Sequence, residues 1–200
     1  MGAGTGFLST AAARLGYEVT AVDISPGMLA RLEASAVREG LTIDTVCASA
    51  ECPPPGPYDV VIARLVLWTL PDPVAALQAW MRVLVPGGRL LVFEARWTGG
   101  SYGEALRRRA RGVLHRLQNA TREHHAAYPS ELVSSLPLLA DPSPNRIVET
   151  IEAAGWRNVR LAHLSDVGFA RTAVLPRLGQ SLGATPEYVV QADADPRLPD

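Results

Sequence analysis

The sequence contains no lysine, and all 19 of its basic residues are arginine. It has only two cysteines, Cys47 and Cys52, and such a pair without further ligands predicts neither a disulfide nor a zinc site. No uninterrupted apolar run approaches the ~18 residues of a membrane span, and no charged N-terminal stretch leads into an apolar one. With a formal net charge of -1, the chain lacks the positive charge that favours nucleic acid. These absences predict a cytoplasmic protein that acts without a metal, a membrane or nucleic acid.

The composition that remains is typical of one globular domain with a real core. The chain has 200 residues, of which 48% are hydrophobic and 20% are charged. Helix-like and strand-like segments alternate with short links, which predicts a parallel sheet covered on both faces. The predicted strands are 17–23, 43–48, 58–65, 89–94, 156–164 and 187–192. The predicted helices begin at Phe7, Ser25, Pro73, Glu104 and Arg146, the last one after a capping Asn145.

A glycine-rich turn, Gly2 to Gly6 with the sequence GAGTG, precedes the first predicted helix. Glycines let the backbone approach a ligand closely, and the amides of a helix N-terminus favour electronegative groups. The dinucleotide fingerprint G-x-G-x-x-G would place its third glycine where this sequence has Phe7. A pyrophosphate loop is therefore disfavoured, and a P-loop is excluded because no Gly-Lys-Ser/Thr follows.

Asp23 ends the predicted strand that follows the first helix. A carboxylate at this place can accept hydrogen bonds from both hydroxyls of a ribose. Alternatively, Asp23 only assists the helix that begins at Ser25, since acids stabilise helix N-termini. Asp23 taken alone does not decide between these two interpretations.

Taken in order, the glycine turn, Asp23 and four later blocks resemble the class I S-adenosylmethionine-dependent methyltransferases. The later blocks are 50–51 (AE), 58–61 (YDVV), 67–73 (LWTLPDP) and 82–90 (RVLVPGGRL). The similarity is specific over residues 1–95 and closest to the small-molecule branch that includes quinone-biosynthesis methyltransferases. It implies an α/β, Rossmann-like three-layer sandwich whose sheet is mostly parallel with an antiparallel final strand. It also implies transfer of a methyl group from S-adenosylmethionine to an O, N or C atom of a small molecule.

The same resemblance implies which residues bind the cofactor. The glycine turn packs against its methionine part and ribose, Asp23 binds the ribose hydroxyls, and two apolar side chains flank the adenine. Where the family usually has Asp-Ala-Glu at the adenine edge, this sequence has Ser-Ala-Glu, so a hydroxyl replaces a charge. The expected cofactor-binding residues are Gly2, Ala3, Gly4, Gly6, Asp23, Ile24, Met28, Ser49, Ala50, Glu51 and Arg64.

Arg64 and Trp68 are the candidates on the side of the methyl acceptor. The resemblance places Arg64 at the strand end that faces the methionine group and the substrate. An arginine there can pair with the cofactor carboxylate or with an acidic acceptor. Alternatively, Arg64 is a surface residue paired with a nearby acid. Trp68 is expected to pack around the substrate mouth and not to act in catalysis.

The candidates for a catalytic base are His124, His125 and Tyr128. Methyl transfer from a sulfonium depends mainly on alignment, and a base matters only for hydroxyl or carbon-acid acceptors. These residues lie where the family builds its substrate lid, although the two histidines can equally be solvent-facing helix residues. The arginines of 107–111 surround their predicted helix, which favours a solvated surface over an RNA site.

The N-terminus departs from the family pattern. Members carry a strand before the glycine turn, whereas only Met1 precedes Gly2 here. A parallel sheet without this middle strand would leave unpaired backbone groups, each costing about 1–3 kcal/mol. Two interpretations stay open: the true start lies upstream, or the short form is genuine and has weak stability and weak cofactor binding.

The expected organisation is a single domain over residues 1–192, followed by a disordered tail at 193–200. Its parts are a cofactor-binding half (1–95), a substrate-lid insert (96–145) and a C-terminal helix with strands (146–192). The alternative function is a degenerate methyltransferase-fold subunit that serves in binding or as a scaffold. A nucleotide-dependent dehydrogenase is disfavoured by Phe7 and by the final strand. The expected partner is a small-molecule acceptor, and the expected assembly is a monomer or a homodimer.

Overall fold

The computed structural model describes residues 1–95, 135–140, 143–167 and 187–195 of the chain. Its helices are α1 Phe7–Arg14, α2 Pro26–Glu39, α3 Pro73–Arg82, α4 Pro137–Ala140 and α5 Pro144–Ala153. Its strands are β1 Thr20–Asp23, β2 Asp44–Cys47, β3 Tyr58–Arg64, β4 Leu84–Ala95, β5 Arg157–His163 and β6 Glu187–Asp193. A short 3-10 turn, Leu67–Thr69, lies between β3 and α3. No helix within these ranges is long and apolar enough to cross a membrane.

Local capping sets the starts of the longer helices. The Ser25 hydroxyl accepts from the Met28 amide at 3.3 Å, and a proline follows as the first helical residue of α2. The last long helix, α5, begins earlier than predicted, because its cap is Ser143 and not Asn145. The Ser143 hydroxyl accepts from the amide of Arg146 at 3.3 Å.

The strands form two sheets in the described part of the chain. β1 and β2 pair in parallel, with Thr20 opposite Asp44. The second sheet has the order β3-β4-β6-β5, in which β3 and β4 are parallel and β6 runs antiparallel to both of its neighbours. This arrangement confirms the predicted α/β class with an antiparallel final strand.

β4 begins earlier than the predicted strand. The sequence VPGG at 85–88 lies within β4 as an irregularity, since Tyr58 pairs with Leu84 while Val60 pairs with Arg89. A local bulge of this kind lets one strand carry extra residues without losing the register beyond it. The proline and glycines of 85–88 follow the end of α3, as predicted, and they also form an irregular part of the strand β4.

The glycine turn lies between the facing edges of the two sheets. The amide of Ala3 donates to the Val22 carbonyl of β1 at 2.9 Å. The amine of Met1 donates to the Ile62 carbonyl of β3 at 2.6 Å. Residues 1–3 therefore link the sheets by hydrogen bonds, and no strand of the described ranges pairs with both β1 and β3.

The main core lies where β3, β4 and β6 pack against α3 and α5. Trp80 on α3 and Leu90 on β4 are among its fully buried side chains, and Ile151 of α5 packs in the same cluster. The Trp80 indole N–H donates to the Ala50 carbonyl at 2.6 Å. The core thus extends to the loop after β2 and holds it in place.

Candidate functional site

The glycine turn has a left-handed backbone at Gly2, Gly4 and Gly6, where φ is 63°, 55° and 90°. A Cβ atom on Gly2 would lie 2.7 Å from a methyl carbon of Val66, and one on Gly6 would lie 2.6 Å from Cγ of Leu32. A Cβ on Gly4 would have no atom within 4 Å. Two glycines therefore allow close packing within the protein, while Gly4 presents its backbone to open space.

This difference between the glycines predicts different effects of adding a methyl group. We expect Gly6→Ala to lower the free energy of unfolding by about 2–4 kcal/mol, because overpacking against Leu32 adds to left-handed strain. Gly4→Ala is the matched control and should cost only about 1–2 kcal/mol, from backbone strain alone. Urea unfolding of both variants measures the difference, and equal losses would contradict the packing role of Gly6.

Asp23 lies at the carboxyl end of β1 and binds two backbone amides. Its Oδ2 accepts from the amide of Gly4 at 2.7 Å, and its Oδ1 accepts from the amide of Ser25 at 2.9 Å. Asp23 therefore both holds the glycine turn and assists the start of α2. Because each carboxylate oxygen has a further lone pair, the group can still accept hydrogen bonds from a ligand.

Two large apolar side chains beside Asp23 are poorly covered by the protein. Ile24 is 73% exposed and Met28 is 37% exposed. Apolar side chains that converge with a few polar groups are typical of a small-molecule site. They offer a surface on which the flat face of a ligand ring can pack.

The loop after β2 is ordered by its own hydrogen bonds. The hydroxyl of Ser49 accepts from the amide of Glu51 at 3.2 Å, and Ala50 is tied to Trp80 as described above. This loop follows the parallel pair of Asp23 with Cys47, and the amide of Ala48 donates to the Asp23 carbonyl. The loop and the aspartate thus share one edge of the sheet.

Arg64 ends β3 and lies between an aromatic ring and an acid. Its guanidinium carbon is 5.0 Å from the centre of the Phe7 ring, and its nitrogen is 3.6 Å from the Glu187 carboxylate. Arg64 is thus paired with a nearby acid, as the alternative interpretation of this residue predicted. The ring of Phe7 also brings Arg64 to the first residue of α1, next to the glycine turn. Sequence reasoning had missed both partners.

Glu94, near the end of β4, is a second residue that sequence reasoning had missed. Its side chain is 3% exposed, and its Oε1 has no hydrogen-bond partner. Burial raises the pKa of this carboxyl group to about 8, and the Leu67 amide and the charge of Arg64 oppose that shift only in part. An acid that follows the apolar run LLVF was the signal available in the sequence.

Most predicted site residues meet at one edge of the two sheets. The glycine turn, Asp23 and the residues after β2 lie at the carboxyl ends of β1 and β2. Arg64 lies at the carboxyl end of β3, and Trp68 is half-buried against the core just beyond it. The candidate bases and the helix predicted to begin at Glu104 lie outside the described residues, as do most of the insert and the last five residues. Those candidate bases are His124, His125 and Tyr128.

Comparison with known proteins finds similarity to methyltransferases, both in a family model and in individual relatives. The family described as "Methyltransferase domain" matches residues 1–92. The chain is 30% identical over 185 residues to the ubiquinone biosynthesis O-methyltransferase of Xanthomonas campestris pv. campestris (strain B100). The aligned region covers 88% of this chain and 74% of that protein.

Many solved structures share the fold, and two of them serve as examples. Haemonchus contortus phosphoethanolamine N-methyltransferase 2, in complex with S-adenosyl-L-methionine, superposes with a TM-score of 0.62 at 16% identity. The match covers 97% of this chain and 47% of that one. The [4+2]-cyclase SpnF superposes with a TM-score of 0.61 at 19% identity, over 97% of this chain and 72% of the cyclase.

Proposed function

Since the chain belongs to the class I S-adenosylmethionine-dependent methyltransferases, we propose that it transfers the methyl group of this cofactor to a hydroxyl oxygen of a small molecule. The choice of oxygen is supported by the relatives, which are named O-methyltransferases of ubiquinone biosynthesis. The observation that carries the proposal is the placement of Asp23, whose carboxylate joins the glycine turn to α2 at the carboxyl end of β1.

The described residues fit the cofactor. Gly4 leaves room for a ligand against its backbone, and Asp23 keeps acceptor capacity for the two hydroxyls of a ribose. The exposed side chains of Ile24 and Met28 supply apolar surface for an adenine ring. S-adenosylmethionine supplies an electrophilic methyl group on a sulfonium sulfur. In this proposal the remaining contacts come from Gly2, Ala3, Gly6, Ser49, Ala50, Glu51 and Arg64.

Arg64 is the residue that we assign to the boundary between cofactor and acceptor. Its side chain is 31% exposed, so guanidinium donors stay available beyond the ion pair with Glu187, whose separation of 3.6 Å is long. Stacking on Phe7 limits the directions in which the guanidinium can point. A carboxylate of the cofactor or an anionic group of the acceptor would be its partner.

Methylation of a hydroxyl releases one proton. His124, His125 and Tyr128 are the residues that we propose to accept it, and residues 96–145 are proposed to cover the acceptor. Trp68 is proposed to pack at the rim of the acceptor site. Alignment of the hydroxyl oxygen with the methyl group supplies most of the expected acceleration.

Substitution of Asp23 tests the cofactor site. We expect Asp23→Ala to weaken binding of S-adenosylhomocysteine by about 1.5–3 kcal/mol, or roughly 10- to 150-fold, because hydrogen bonds to a charged group are lost. Titration calorimetry on folded protein measures this change. Asp44→Ala, an exposed acid at the start of β2, is the matched control and should leave the affinity unchanged. Equal affinity of Asp23→Ala and the parent protein would remove Asp23 from the site.

A binding or scaffold subunit without activity is the second candidate. The observation that favours it is the division of the described strands into two sheets, since two separate sheets support a bound cofactor less rigidly than one continuous sheet. Incubation with S-adenosylmethionine and panels of phenols, amines and carbon acids separates the candidates. Acceptor-dependent formation of S-adenosylhomocysteine with phenols supports the proposed function. Binding of the cofactor without turnover on any panel supports the second candidate.

A further inference from the structure

Glu94 combines deep burial with incomplete hydrogen bonding. It is the one acidic side chain in the described part of the chain that is buried, and its Oε1 has no partner. The backbone amide of Leu67 faces the same carboxyl group and favours its charged form. Because buried polar groups in proteins are nearly always paired, a half-satisfied carboxyl group calls for a specific explanation.

The Leu65–Thr69 turn, which follows β3, depends on β4 for its shape. Leu65 has φ of 56°, a left-handed conformation that side chains other than glycine rarely adopt. The amide of Leu65 donates to the carbonyl of Phe93 at 3.0 Å. The amide of Leu67 faces the carboxyl group of the next residue, Glu94. Two consecutive residues of β4 therefore hold a turn whose backbone is strained.

The same turn supports the glycine turn. The side chain of Val66 fits against the backbone of Gly2 so closely that a Cβ on Gly2 would lie 2.7 Å from it. Because protein interiors are close-packed and hardly compressible, a movement of Val66 has to move Gly2 or leave a gap between the two residues. The carboxyl group of Glu94 is thus connected to the cofactor loop through Leu67 and Val66.

We propose that Glu94 is a positioning residue for cofactor binding, which acts through Leu67 to hold the Leu65–Thr69 turn and to keep Val66 seated against Gly2. The inference rests on the proposed function, because the ligand that the glycine turn would hold is S-adenosylmethionine or its product.

The charges around Glu94 predict how this contact responds to pH. Arg64 faces it from β3, and Glu187 and Tyr188 lie on β6, where Tyr188 pairs directly with Glu94. The Leu65–Thr69 turn and α4, which packs on it, carry no charged side chain. Burial raises the pKa of Glu94 to about 8, so the neutral carboxyl group is the form present near neutral pH. Its ionisation would draw Arg64 away from Glu187 and Phe7 and disturb the end of β3.

Calorimetric titration with S-adenosylhomocysteine at about pH 6.5 and about pH 9 tests the inference. From the lower to the higher pH, the affinity of the parent protein should fall by at least about fivefold more than the affinity of Glu94→Gln. About fivefold is the low end of the usual range of coupling between two sites. Glu94→Gln should bind like the parent at the lower pH, because its amide oxygen accepts from Leu67 and cannot ionise. Its own pH profile also corrects for titration of the ligand.

Two further variants separate positioning from general stability. Glu94→Leu removes the acceptor for the Leu67 amide and should weaken binding at both pH values. Thr150→Val removes another buried polar group, on α5, and should lower stability without changing either affinity. Unchanged affinity of Glu94→Leu at both pH values would overturn the role of Glu94 alone. Absence of binding by the parent protein at both pH values would overturn the proposed function and the inference together.

Discussion

Trp80→Ala is expected to lower the free energy of unfolding by about 3–5 kcal/mol, the usual cost of truncating a buried tryptophan. Trp80 on α3 is fully buried in the main core, and its indole N–H donates to the Ala50 carbonyl at 2.6 Å. The substitution creates a cavity and also releases the loop after β2, which carries Ser49 and Glu51. Urea unfolding followed by circular dichroism measures the loss.

A milder substitution separates the packing of Trp80 from its hydrogen bond. Trp80→Phe keeps most of the ring but leaves the Ala50 carbonyl unpaired, and the expected cost is about 1–3 kcal/mol. Trp156→Phe is the matched control, because its buried indole N–H donates to the Leu77 carbonyl at 3.2 Å, in the helix α3 and not in the loop. Both variants should lose stability, but only Trp80→Phe should weaken binding of S-adenosylhomocysteine. Equal effects of the two on affinity would show that the tie to Ala50 does not shape the site.

The second large effect is a loss of stability as the pH rises, caused by Glu94. Its pKa is raised from 4.5 to about 8 in the folded protein, mainly because burial disfavours the charged form. The stabilisation is therefore fully present below pH 4.5 and is lost as the pH rises through 8. Since each pH unit between these values contributes about 1.4 kcal/mol, the free energy of unfolding should fall on the order of 4 kcal/mol over this range.

Glu94→Gln isolates this contribution. The glutamine has nearly the same shape and stays neutral, so its free energy of unfolding should vary much less between about pH 5 and about pH 8 than that of the parent protein. Chemical unfolding at a series of pH values provides the comparison. Parallel curves for the two proteins would mean that the carboxyl group titrates near its ordinary pKa and is not held in an apolar environment.

Several elements followed from the sequence because their causes are local. Ser25 followed by proline specifies a helix start through capping, and the GAGTG turn specifies left-handed backbone before α1. The alternation of strands and helices fixed the α/β class. The ordered blocks specified the family, which the comparisons confirm. The assignment of individual residues to cofactor contacts remains a set of predictions with the tests given above.

The errors and omissions concern residues whose neighbours are distant in the sequence. The cap of α5 was misplaced by two positions, because Ser143 and Asn145 are both good capping residues and only the course of the chain selects one. The length of β4 was underestimated because its bulge depends on pairing with β3. Glu94 was passed over because burial of a strand-end acid cannot be read from a local pattern.

By itself, the sequence determined the α/β class, the backbone of the glycine turn and the position of Asp23 at a strand end. The tertiary structure decided that Asp23 binds the amides of both Gly4 and Ser25, so that it assists the start of α2, while ribose binding stays a prediction. It also decided that Arg64 pairs with Glu187 and stacks on Phe7. Propensity and capping act over a few residues, whereas burial, ion pairing and strand register arise only when distant segments pack against one another.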